Sequence, residues 1–116
     1  MTAHAVFRPR AALTAELDAL RPRAESGSRF HEGARDALRW LLEGGAGPLT
    51  GSHTDPPLTL RAVVAELAAA ETRLYGSQSA DRDYAAGLEH AVMWAVSATP
   101  ATPSAALPGP APSRAW

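Results

Sequence analysis

The segment His31-Glu32, followed by Asp36, comes nearest to a catalytic signature in this sequence. A zinc hydrolase helix carries His-Glu-x-x-His, which sets two imidazoles four residues apart on one face around the metal. Arg35 occupies the place of the second histidine, so the ligand set is incomplete. His53-Thr54-Asp55 and Glu89-His90 are isolated pairs, and each histidine is expected at the surface. His90 is the most interesting of them because it shares a helix with a repeated motif described below.

Other chemistries lack their minimum parts. The glycines of the 44–51 segment are not followed by the Lys-Ser/Thr of a phosphate cradle, and no serine sits in a nucleophile elbow. Asp81 and Asp83 flank Arg82 at the start of a helical stretch, where acids favour the helix dipole. There is no cysteine, which removes disulfides, thiolate metal sites and cysteine nucleophiles together. The expectation is a chain without catalytic residues, metal or cofactor.

The formal net charge is -1 over 116 residues, with 11 basic residues that are all arginine. Lysine, isoleucine and asparagine are missing and alanine fills 26 positions, a bias of very GC-rich, actinobacterial-type genes. Balanced charge argues against a strong phosphate-neutralising surface. Arg29, Arg35 and Arg39 share the polar side of one helical segment and are the nucleic-acid candidates, in a helix-turn-helix reading centred on 25–28. Glu32, Asp36 and Glu43 interleave with them and oppose the same phosphates, so nucleic acid is possible but not favoured. No run is long and apolar enough for a membrane span, and the first ten residues lack a secretory apolar stretch; the expected location is cytoplasmic.

The elements that position these residues are helical. Leu13, Leu17 and Leu20 recur at helical spacing after Pro9, with Pro22 near the end and a break at 25–28, where Ser26 or Ser28 can cap the next helix. The second helix, 28–43, buries Phe30, Ala34, Ala37, Leu38, Leu41 and Leu42 and stops at Gly44-Gly45. A Gly/Pro/Ser/Thr-rich loop follows. A third helix opens near Thr59 with Leu60, Val63, Val64, Leu67, Leu74 and Tyr75 on one face and ends at Gly76. A fourth, from about 80 to 97, aligns Tyr84, Leu88, Ala91, Val92 and Ala95. Five prolines after residue 99 predict an extended or disordered tail, in which Trp116 is a candidate docking residue.

Two stretches of the chain resemble each other. Phe30-x-x-Gly33-x-x-x-Ala37-Leu38-x-Trp40 matches Tyr84-x-x-Gly87-x-x-x-Ala91-Val92-x-Trp94 at a constant offset of 54 residues. Upstream, Ala15-Glu16-Leu17 matches Ala65-Glu66-Leu67 at an offset of 50. Glycine and alanine four apart form a shallow strip that admits a second backbone, and an interior glycine otherwise costs about 1 kcal/mol relative to alanine. A repeated cost implies a repeated packing need.

The resulting expectation is an all-α fold, a four-helix bundle of two pseudo-repeated hairpins with a disordered Pro/Ala-rich C-terminal tail. Residues 1–10 form an arm, 11–98 the helical domain (hairpin one 11–43, loop 44–58, hairpin two 59–98), and 99–116 the tail. The expected function is a small non-catalytic protein-interaction module, an adaptor, regulator or assembly subunit that self-associates as a homodimer. Phe30, Gly33, Ala37, Trp40, Tyr84, Gly87, Ala91 and Trp94 are its interaction or pocket candidates. The alternatives are a DNA-associated regulator using the arginines of the first hairpin and a small-molecule sensor with a pocket between Trp40 and Trp94.

Overall fold

Helix α1 (Arg10–Glu25) starts where Pro9 fixes the backbone, and the Pro9 carbonyl accepts from the amides of Ala12 and Leu13. Pro22 is tolerated because it lies in the last turns on an exposed face. Gly27, at φ 99°, takes a conformation that side chains disfavour, and the chain turns there. Of the two candidate serines, Ser28 caps α2 (Arg29–Glu43): its Oγ accepts from the His31 amide at 3.3 Å. Ser26 instead donates to the Arg23 carbonyl. The chain leaves α2 through Gly44, at φ 76°.

The 44–58 connection is held by a short antiparallel ladder between β1 (Gly45–Ala46) and β2 (His53–Thr54), with Gly45 opposite Thr54. Thr59 then caps α3 (Leu60–Gly76) through a 3.1 Å bond from the Ala62 amide, and α4 (Ser79–Ala95) follows. These elements belong to a computed structural model that describes residues 7–76, 79–96 and 102–105. It is mostly helical, with two short strands. Among the described residues, no helix is long and apolar enough to cross a membrane.

The two motif-bearing helices are central. Helix α2 packs along α4, while α1 covers α2 and α3 covers α4. Leu20, Leu38, Leu58, Leu88 and Val92 are completely enclosed between these layers. The buried face expected for α2 is observed in full.

Three expectations need correction. On α3, Leu60 (49% exposed), Val64 (53%) and Tyr75 (85%) point away from the core. The inward face is Val63, Glu66 and Ala70, with Leu67 and Leu74 at its edge. Two overlapping apolar stripes exist on this helix, and contact with α4 selects one of them. His31 is buried beneath its cap rather than lying at the surface, its Nδ1 2.6 Å from Ser28 Oγ. Part of the 99–116 segment also packs: Pro103 is enclosed and Ser104 reaches α1. Residues 99–101 and 106–116, Trp116 included, lie outside the described residues.

Candidate functional site

The repeated motif builds one contact, between α2 and α4. A Cβ on Gly33 would overlap the carbonyl of Tyr84, and a Cβ on Gly87 would overlap that of Phe30. Each glycine therefore receives the backbone of the residue that opens the other copy of the motif. Ala37 and Ala91 are completely buried along the same seam. The small-residue strip is a close approach of two helices, as its spacing predicts.

The aromatic residues at the motif starts diverge in surroundings. The Phe30 ring meets His31 edge-on at 5.3 Å and His90 at 6.0 Å. Tyr84 donates its hydroxyl to Asp36 Oδ2 at 2.5 Å, and the Arg29 guanidinium lies 4.8 Å from its ring centre. Burial, then the Asp36 hydrogen bond and negative charge, push the Tyr84 phenol above its ordinary range, against weaker opposition from Arg29 and Arg35. Tyr84 is thus a fixed donor rather than a base.

The two tryptophans are both buried but serve different neighbourhoods. Arg8 lies over the Trp94 ring at 4.9 Å and donates to the Trp94 carbonyl at 2.6 Å. Trp40 lines a surface cleft of about 450 Å³ with Asp36, Arg39, Glu43, Pro48 and Tyr84. Trp94 is not in its wall, so the cleft adjoins one tryptophan instead of lying between the two. The Trp40 Nε1–H is buried and has no hydrogen-bond partner among the described residues.

Two of the three nucleic-acid candidates are engaged locally. Arg29 pairs with Glu32 at 2.6 Å and Arg35 with Asp36 at 3.1 Å, while Arg39 is exposed beside Glu43 at the cleft. Such pairing leaves little free positive charge for phosphates. His53 bonds Asp55 at the surface. Among the described residues no three His, Asp or Glu side chains gather in a way that could hold a metal ion.

Sequence reasoning missed the two glutamates inside the Ala-Glu-Leu fragments. Glu66 is buried and accepts from the Leu49 amide (3.0 Å), the Thr50 amide (3.1 Å) and the Thr50 hydroxyl (2.5 Å). Gly47 is required there, because a Cβ would strike the Glu66 carboxylate. Glu16 is buried as well and accepts from the Ser104 hydroxyl and amide. Thr50 and Ser104 are 54 residues apart, the motif offset. The segment after each central helix thus clamps the outer helix of the opposite half. The signal was present in the sequence as a glutamate at the same place in both fragments.

Burial first and the nearby Glu71 second raise the Glu89 carboxyl above its ordinary value, with His90 acting the other way. A raised folded-state value means that stability from this group is complete in acid and is lost as pH rises through that value. Glu89→Gln, which keeps the uncharged form, is therefore expected to melt higher than wild type at pH 7. The gap should close below about pH 4. A gap that widens on acidification in thermal melts would contradict this assignment.

No protein-family model, curated protein or solved structure matches the chain, so its function rests on its own geometry.

Proposed function

We propose that the protein is a small non-catalytic interaction module, an adaptor, regulator or assembly subunit, built as a bundle of two related helical hairpins and acting in the cytoplasm. Its first partner is a second copy of itself. The supporting observation is an asymmetry between the halves. Leu60, Val64, Tyr75 and Met93 are the exposed large hydrophobic side chains among the described residues. All four lie in the second half. At the repeat offsets their counterparts in the first half are Arg10, Thr14, Glu25 and Arg39, which are exposed too. The outer side of α1 is thus polar at the positions where α3 exposes Leu60, Val64 and Tyr75.

Isolated surface hydrophobics are ordinary, but an aligned set on one helix marks a contact surface. The wild-type chain is expected to sediment as a dimer at high micromolar concentration. The triple variant Leu60→Gln, Val64→Gln, Tyr75→Gln should sediment as a monomer, with the wild-type melting temperature at protein concentrations too low for dimerisation. A wild-type chain that stays monomeric at high micromolar concentration would overturn the reading.

A further inference from the structure

Resting on that reading, we infer that two copies pair through α3 alone, antiparallel about Ala68, with Arg61 of each copy set against Glu71 of the other. At 100° per residue, Leu60, Val64, Ala68, Glu71 and Tyr75 fall within an arc of about 80°. All five are exposed. The arc runs for about 22 Å along the helix and joins the buried face through the half-buried Leu67. A helix that meets its own copy across a two-fold axis perpendicular to it must run antiparallel, each residue facing one equally far from the centre.

The centre of Leu60 to Tyr75 falls between Leu67 and Ala68. Small Ala68 at this point lets the two helices approach. Leu60 then faces Tyr75 of the second copy, and Val64 faces Glu71. A shallow groove lined by Ala68, Glu71, Thr72, Tyr75 and Gly76, about 520 Å³, lies where Leu60 and Val64 of the second copy arrive.

Charge completes the register. Glu71 is a carboxylate in the middle of an apolar arc, and it stands close enough to Glu89 to disfavour that group's ionisation. Arg61 flanks the arc three residues, about 4.5 Å of rise, from the position that faces Glu71. Antiparallel pairing brings a guanidinium to each Glu71, twice by symmetry. The corresponding positions on α1 are Arg10, Thr14, Asp18, Arg21 and Glu25, so the first half offers no second apolar surface of this kind and assembly closes at the dimer. A contact of two helices is at the low end of specific interfaces, and micromolar affinity is expected.

Charge reversal tests the register. Arg61→Glu and Glu71→Arg should each weaken dimerisation about tenfold by sedimentation equilibrium, and the double variant should recover to within about threefold of wild type. Glu71→Arg should also melt higher at low protein concentration, because it removes the repulsion on Glu89, so its weaker dimerisation is not unfolding. A dimer that tolerates both single reversals, or a double variant no tighter than the singles, overturns this register while leaving self-association standing. A wild-type chain that never dimerises overturns both.

Discussion

Gly87→Ala is expected to destabilise the protein by about 3 kcal/mol, although alanine is the better helix former by about 1 kcal/mol. The added methyl would collide with the Phe30 carbonyl, with the carbonyl carbon at 2.7 Å and the Ala34 amide nitrogen at 3.1 Å. These are backbone atoms of α2, which cannot rotate aside. The helices must separate, and separation opens the seam of Ala37, Leu38, Leu88 and Ala91, all fully enclosed. Gly33→Ala meets the Tyr84 carbonyl in the same way and should cost about as much.

Both methyls press on the same α2–α4 seam, so a separation that admits one eases the other, and the double variant is expected to lose less than the sum of the two single losses. Gly76→Ala is the control: nothing lies within 4 Å of the added methyl, and it should be neutral or stabilising. Urea titrations decide. A Gly87→Ala protein as stable as wild type would mean that α2 and α4 do not touch at this point.

The second large effect is expected from Glu66→Ala, at about 3 kcal/mol. The Glu66 carboxylate is the acceptor for two backbone amides and one hydroxyl of the 47–51 turn, and removing it orphans all three donors while leaving a gap beneath Gly47. Glu66→Gln keeps one acceptor oxygen but turns an amide N–H₂ toward those donors, so an intermediate loss is expected. Hydrogen exchange supplies a local readout: the Leu49 and Thr50 amides should lose protection in Glu66→Ala beyond the global change. Glu16→Ala should cost less, because its partners come from the single residue Ser104. Unaltered protection at Leu49 and Thr50 would show that the turn stands without its clamp.

Much of the local structure was legible in the residues. Pro9, the Gly27-Ser28 break, the Gly44 stop and the Thr59 cap act through backbone geometry and hydrogen bonds over three or four positions. Such signals do not depend on what the helix later packs against. The need for close approach at Gly33 and Gly87 was legible for a related reason, since glycine in a helix interior is otherwise costly; that the two strips meet each other was shown by the tertiary structure.

The buried glutamates were harder to see. Glutamate is ordinarily a surface residue, and its enclosure depends on donors that arrive from 16 and 88 residues away. His31 differs, because its bond to the Ser28 cap is local and only the packing around the ring takes it into the interior.

The sequence by itself determined where the helices begin and end, and that two of them carry a small-residue strip fit for the close approach of another backbone. Tertiary structure alone decided which stripe of α3 turns inward. Leu60 and Val64 are as apolar as Val63 and Leu67, so periodicity supports either face, and α4 and the clamp on Glu66 together choose the inner one. That choice leaves Leu60, Val64 and Tyr75 in solvent, and with them the surface on which the proposed function rests.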